Sequence, residues 1–166
     1  MIVPAIFNAK SLWYEEKNTV LTVGEEEGEM RWDFEWDSRF VDYNSRSLSY
    51  VNKGHTEAPV LIEIDGQVIN PKIELYVEGK LYQTVEITVE IKEYEKLIYD
   101  TRENQFCIEK QETDGSRTSL FSFDNIKFEN DNVIRLPCDR SCEIRLVAEN
   151  DILNALITIF PRYKSV

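Results

Sequence analysis

The stretch that decides the fold is Val85-Glu86-Ile87-Thr88-Val89-Glu90-Ile91-Lys92, in which apolar and polar residues alternate strictly. Successive side chains of an extended chain point to opposite faces, so this stretch predicts one strand with a buried and a solvated face. The run 155–160 is nearly continuous in apolar residues, which favours a strand buried on both faces. The period of two recurs in five further runs: 62–64, 73–77, 106–108, 126–128 and 142–146.

Turn-forming residues separate these runs at intervals of roughly 8–12 residues. They are Asp65-Gly66, Asn70-Pro71, Glu78-Gly79, Asp114-Gly115, Asn130-Asp131-Asn132 and Pro137. Asp114-Gly115 suits the positive-φ positions of a tight hairpin turn. No stretch combines a helix-capping residue with an apolar stripe of period 3.6. The chain is therefore predicted to be all-β, an antiparallel β-sandwich or barrel.

Charge and composition exclude several classes of function. The 166 residues are 42% hydrophobic and include 31 acidic against 19 basic residues, a net charge of −12. Such a surface repels phosphate backbones and anionic lipid, so we expect neither a nucleic-acid nor a membrane partner. No run approaches the ~20 apolar residues of a membrane span, and residues 1–10 do not have the pattern of a signal peptide. Three cysteines are an odd number, which favours cytosolic synthesis with free thiols.

The composition changes near residue 50. Residues 1–50 contain all three tryptophans and the acidic segment Glu25-Glu26-Glu27-Gly28-Glu29. The flanking stretches 12–23 and 30–40 predict a long β-hairpin with a solvated tip. We therefore divide the chain into an N-terminal hairpin or assembly region, 1–50, and a β-sandwich domain, 51–166.

An aromatic stripe lies on the second arm of this predicted hairpin. Trp32, Phe34 and Trp36 share one face of the strand, and acidic residues occupy the other. Three uses remain open for the stripe: packing against the sandwich, a subunit interface, or a platform on which a sugar ring stacks. Fifty residues provide too few strands for stability alone, which favours association. The three residues are therefore our candidate assembly interface.

Candidate catalytic and metal-binding residues are few. His55 is the only histidine and is expected to be an exposed residue of a turn, with no nucleophile motif nearby. A zinc site would need His55 together with Cys107, Cys138 and Cys142, whose spacing matches no known zinc motif. A disulfide between Cys138 and Cys142 is less favoured than free thiols. We therefore predict no enzyme, no catalytic residue, no metal and no cofactor.

Seven segments, named the motif segments below, follow one another in a characteristic order from residue 39 onward. They are 40–43, 50–59 (Tyr50-Val51-Asn52-Lys53-Gly54-His55-Thr56-Glu57-Ala58-Pro59), 60–66, 68–73, 98–101 (Ile98-Tyr99-Asp100-Thr101), 131–137 and 160–163 (Phe160-Pro161-Arg162-Tyr163). Their order and spacing resemble the C-terminal galectin-like domain of bacteriophage distal tail proteins. The loop 137–142 and the short N-terminal region depart from that family's pattern.

The resemblance implies a galectin-like or jelly-roll-like sandwich with a mechanical role. The chain is then expected to be a structural component of a phage or prophage tail tip or baseplate. In that role it forms a ring, a hexamer or a trimer, which links the tail tube to the hub and to receptor-binding parts. Its partners are other copies and other tail or baseplate proteins, and its location is the virion tail after assembly in the bacterial cytoplasm. The alternative is a carbohydrate-binding β-sandwich module that uses Trp32 and Trp36.

Overall fold

The computed structural model describes residues 13–14, 19–23, 47–122, 124–127, 133–150 and 154–163. Every regular element in these ranges is a β-strand, and every strand pairs antiparallel with its neighbours. The predicted all-β class is confirmed. Among the same residues there is no helix long and apolar enough to cross a membrane.

Fifteen strands lie within the described ranges. They are β1 (Trp13–Tyr14), β2 (Thr19–Val23), β3 (Ser47–Val51), β4 (Ala58–Asp65), β5 (Val68–Ile69), β6 (Lys72–Val77), β7 (Lys80–Glu86), β8 (Glu90–Ile91), β9 (Lys96–Asp100), β10 (Cys107–Gln111), β11 (Arg117–Ser119), β12 (Arg135–Leu136), β13 (Ser141–Val147), β14 (Asn154–Ile159) and β15 (Arg162–Tyr163).

Two large sheets share one hydrophobic core. The larger sheet has the order β11-β10-β9-β4-β14-β2, and β12 pairs with the first residues of β4. The smaller sheet has the order β3-β13-β6-β7, and two short pairs, β1-β15 and β5-β8, complete the described structure. Buried residues of both large sheets, among them Ile62, Ile157, Leu75 and Ile144, belong to a single apolar cluster. Such a layered arrangement lets each sheet bury one apolar face.

The alternation of the sequence sets which side chains enter this core. Along β4, Val60, Ile62 and Ile64 are buried, and the residues between them are half-buried. β13 alternates in the same way, as predicted. β14 lies between β4 and β2, so Ile157, Thr158 and Ile159 are all buried. The prediction of a strand buried on both faces is thus confirmed for the second half of β14.

The prediction of one strand over 85–92 is wrong in part. β7 ends at Glu86 and β8 begins at Glu90, although Val85, Ile87 and Ile91 are buried as the alternation requires. The break follows from Pro71, whose carbonyl accepts a hydrogen bond from the Ile87 amide (3.0 Å) but which has no amide hydrogen to return. The pairing of β7 with β6 therefore stops at Glu86, and the residues that follow form hydrogen bonds with other segments of the chain.

Two hairpin turns and one bulge shape the edges of the sheets. Glu78 and Gly79 both have positive φ (51° and 78°), as a two-residue turn between β6 and β7 requires. In the predicted turn Asp114-Gly115 only Gly115 has positive φ (85°), and the loop is longer. The register between β6 and β7 shifts at Tyr76, which leaves Tyr82 as an extra residue, a β-bulge.

The described strands of the N-terminal region pair with the C-terminal part of the chain. β1 pairs with β15, β2 pairs with β14, and β3 pairs with β13. The second arm of the predicted hairpin, 30–40, lies outside the described residues. The boundary at residue 50 and the hairpin therefore stay predictions.

Candidate functional site

The predicted assembly residues Trp32, Phe34 and Trp36 lie outside the described residues. The sequence also singled out the motif segments, and these can be followed in the structure. Five of them contact one another at one end of the larger sheet, namely 50–59, the start of 60–66, 98–101, the described residues 133–137 of the segment 131–137, and 160–163. We call these contacts the junction. Segment 40–43 lies outside the described residues, and 68–73 runs through β5 into β6.

Asn52 holds the first part of the junction together. Its side chain is fully buried, and its amide nitrogen donates hydrogen bonds to the carbonyls of Thr56 and Leu136, both at 2.9 Å. Its amide oxygen accepts a hydrogen bond from the Gly54 amide, also at 2.9 Å. Both ends of the side chain are therefore satisfied without water, and the turn 52–56 is fixed against β12.

Gly54 allows the C-terminal strand to approach this turn closely. A Cβ atom at Gly54 would lie 2.8 Å from the Arg162 carbonyl oxygen and 2.9 Å from the Arg162 nitrogen. The next amide, that of His55, donates a 2.7 Å hydrogen bond to the same carbonyl. Any side chain at position 54 would push β15 away from the turn.

Arg162 joins β15 to the rest of the junction. Its backbone bridges to Thr56, and its guanidinium, with only 4% of the residue exposed, lies 2.6 Å from the Glu103 carboxylate. The hydrogen bond from Arg162 and its positive charge lower the pKa of Glu103. On its other side Arg162 pairs with Tyr14 of β1, so the same residue attaches the N-terminal strand.

Asp100, Thr101 and Arg102 bind the end of β9 to the start of β4 and to the C-terminal segment. The Thr101 hydroxyl accepts from the Val60 amide (2.8 Å) and donates to the Val60 carbonyl (3.1 Å). Asp100 is 4% exposed, and its carboxylate accepts hydrogen bonds from both Nε and Nη2 of Arg102. The Arg102 guanidinium also stacks over the Phe160 ring at 4.7 Å.

The polar groups of the junction hold its segments together. Buried hydrogen bonds and charge pairs of this kind fix one geometry, because breaking any of them leaves a desolvated group behind. His55 is exposed, as predicted, and its ring meets the edge of Tyr163 at 5.5 Å. The arrangement suits a rigid attachment between the N-terminal strand and the sheets.

Two of the three cysteines, Cys107 and Cys142, are thiols of low reactivity. Cys107, Cys138 and Cys142 are all free, so no disulfide joins Cys138 and Cys142. Burial raises the pKa of Cys142 to about 11, and burial is also the main cause of the raised pKa of Cys107. Thiols of this kind are protonated at neutral pH and are poor nucleophiles. Within the ranges that the structure covers, no three His, Cys, Asp or Glu side chains form a group that could hold a metal ion.

Sequence reasoning missed the partners within the junction. It marked Asn52, Gly54 and Arg162 only as members of the motif segments, and it did not single out Glu103. The signal that could have found Asn52 is its place in an Asn-x-Gly turn beside a buried strand, where an amide side chain commonly caps a turn. Comparison of the chain with protein-family models, with curated proteins and with solved structures finds no match.

Proposed function

We propose that the chain is a structural component of a phage or prophage tail tip or baseplate, similar to a distal tail protein. In this proposal residues 51–166 form a galectin-like sandwich, and residues 1–50 form the region through which copies assemble into a ring. The ring, a hexamer or a trimer, links the tail tube to the hub and to receptor-binding parts. The protein is then located in the virion tail, after assembly in the cytoplasm of the bacterial host.

The observation that carries the proposal is the convergence of five motif segments on the junction. Those segments are the basis of the resemblance, and their polar residues hold strands together. Asn52 and Arg162 are buried; Asn52 bonds the turn 52–56 to β12, and Arg162 in β15 pairs with β1 and accepts a hydrogen bond from His55 in the same turn. A rigid attachment suits a protein whose task is to transmit position between neighbouring subunits. The acidic surface favours protein partners over nucleic acid or membrane.

The assembly region supplies the second support. The spacing of Trp32, Phe34 and Trp36 predicts a large apolar stripe, and such stripes commonly anchor interfaces. β1 joins the described fold through β15, at the junction. We infer that the junction holds the assembly region in a fixed orientation and that the stripe contacts a neighbouring copy.

The test is the solution mass of the full chain by light scattering after size exclusion, at several protein concentrations. A discrete hexamer or trimer supports the proposal. Trp32→Ala and Trp36→Ala are expected to weaken that oligomer by a few kcal/mol if the rings are buried in the interface. Tyr82→Ala is the matched control, because Tyr82 is an exposed aromatic residue on β7. A strict monomer, together with purified tails that contain no copy of the chain, would overturn the proposal.

A further inference from the structure

Three turns meet at the end of the larger sheet that lies opposite the junction. The first follows β4 (Asp65, Gly66), the second precedes β9 (92–95), and the third joins β10 to β11 (112–116). β4 and β10 run from the junction end to this end, and β9 lies antiparallel between them and runs back, so the end of β4, the start of β9 and the end of β10 are adjacent. Together they line an open cleft of about 540 Å³, which we call the turn cleft. Its volume lies in the range of small-ligand sites.

Tyr94 is the unusual residue of the turn cleft. It is 76% exposed, and its backbone has a positive φ of 68°. The Glu95 amide donates to the Lys92 carbonyl (3.1 Å) and closes a turn in which Tyr94 is the third residue, a position with positive φ that glycine or asparagine usually occupies. A bulky aromatic residue in this conformation is strained, and its exposure means that little packing compensates. Retained strain of this kind is typical of ligand-binding positions.

The turn that carries Tyr94 is held in place by its neighbours. The Glu95 carboxylate accepts hydrogen bonds from the Lys92 amide (2.7 Å) and from the Lys110 ammonium (2.8 Å). The Glu95 carbonyl accepts a further bond from the Gly66 amide (3.3 Å). The turn is therefore tied to both adjacent strands, and the position of Tyr94 is set before any ligand arrives. Such preorganisation reduces the entropy that binding costs.

The remaining lining offers amide, hydroxyl and carboxylate groups. Gln111, Glu112 and Thr113 face the cleft from the β10–β11 side. Lys96, the lysine that lines the cleft, is engaged by carboxylates of the protein, 3.3 Å from Glu63 and 3.4 Å from Asp65. An anionic ligand is therefore disfavoured. An exposed aromatic ring bordered by neutral and acidic hydrogen-bonding groups fits a neutral sugar, whose apolar face stacks and whose hydroxyls bond.

We propose that the turn cleft is a saccharide-binding site, in which a neutral pyranose stacks on Tyr94 and bonds to Gln111, Glu112 and Thr113. A basic peptide fits less well. The acidic surface as a whole would attract such a peptide, with no preference for this cleft, and its binding would not explain the strained backbone of Tyr94. The site differs from the tryptophan platform considered above. It goes beyond the proposed tail function and does not depend on it.

The test is nitrogen-15 NMR of the full chain, titrated with neutral oligomers of glucose, galactose, N-acetylglucosamine and rhamnose. At least one oligomer is expected to shift the amide resonances of 93–96 and 111–113. In Tyr94→Gly the affinity is expected to fall about tenfold or more, and the melting temperature is expected not to fall, because glycine accepts the positive φ. The control is Tyr82→Ala, which removes an exposed tyrosine outside the cleft and should leave the affinity unchanged.

Two results would overturn this inference. The first is that no oligomer binds, in which case a lysine-rich peptide that shifts the cleft resonances would identify a peptide site instead. The second is that binding survives Tyr94→Gly. Neither result bears on the tail proposal, which is tested by the oligomeric mass and by the composition of purified tails.

Discussion

The two ends of the larger sheet are built from the same strands but differ in burial and in backbone conformation. At the junction end Asn52, Asp100 and Arg162 are buried; Asn52 and Arg162 bond to distant segments, and Asp100 bonds to the neighbouring Arg102. At the cleft end Tyr94 and Glu112 are exposed, and the backbone of Tyr94 is strained. β4 connects the two, from Ala58 at the junction to Asp65 at the cleft.

This difference indicates where the fold tolerates amino-acid substitutions. A buried polar group costs free energy when its partner is lost, whereas an exposed one is rehydrated. Substitutions at the junction should therefore act on stability, and those at the cleft on binding. The contacts between the motif segments lie at the junction end, where we expect substitutions to cost the most stability.

The largest effect is expected for Asn52→Ala. The substitution removes three hydrogen bonds and leaves the Leu136 carbonyl buried without its partner, so the free energy of unfolding should fall by about 3 kcal/mol. Gln111→Ala at the cleft end should cost less than about 0.5 kcal/mol. Urea denaturation of both variants measures the two values. Equal losses would contradict the comparison between the ends.

A smaller loss is expected for Gly54→Ala. The added methyl group would lie 2.8 Å from a backbone oxygen of β15, and moving that strand should cost about 2 kcal/mol. Gly66→Ala at the cleft end meets no atom within 4 Å but has a φ of 88°, so about 1 kcal/mol is expected from the backbone alone. Thermal melts of the two alanine variants provide the measurement. A greater loss in Gly66→Ala than in Gly54→Ala would show that β15 is not tightly seated.

The ion pair between Glu103 and Arg162 should make the junction sensitive to pH. Because the folded state lowers the pKa of Glu103, the pair stabilises the fold above the ordinary value of 4.5. That stabilisation is lost as the pH falls through the lowered pKa. At pH 7 Glu103→Gln should cost no more than about 1 kcal/mol, since 55% of the Glu103 side chain is exposed to screening water.

The measurement is the melting temperature of wild type and Glu103→Gln from pH 7 to pH 2.5. The difference should shrink toward zero at the acidic end. Glu112→Gln, at the cleft end, is the control and should follow the wild-type curve. A gap between Glu103→Gln and wild type that stays constant with pH would show that the charge of Glu103 is not what stabilises the junction.

The smallest effect, of opposite sign, is expected for Tyr94→Gly. Relief of the positive φ should raise the free energy of unfolding by up to about 1 kcal/mol, and the larger entropy of glycine in the unfolded chain offsets part of that gain. Urea denaturation again provides the measurement. A loss of more than about 1 kcal/mol would mean that the Tyr94 ring supports the fold and that its strain has a structural reason.

Local patterns were sufficient to predict several of the longer strands. The alternation in β4 and β13 predicted both the strand and its buried face, because every second side chain of a strand points to the same face of the sheet. The same reasoning failed where a distant residue intervened. The break between β7 and β8 depends on Pro71, which is not part of the alternating run and which ends the ladder from the neighbouring strand.

The candidate sites depended on contacts between distant positions. Glu103 and Arg162 are separated by 59 positions, and the turn cleft combines three turns from different parts of the chain. A single sequence has no local signal for such contacts, since sheet order brings them together. The assembly stripe at Trp32, Phe34 and Trp36 stays a prediction from the pattern alone.

The β-bulge at Tyr82 affects how readily two molecules can pair edge to edge. A regular strand edge offers amide and carbonyl groups at constant spacing, and a second molecule can extend the sheet by pairing with them, which begins aggregation. β7 is one of the two outermost described strands of the smaller sheet, and the extra residue at Tyr82 interrupts that spacing. In the ring that we propose, where copies would be held at high local concentration, this irregular edge would keep neighbouring subunits from pairing into a common sheet.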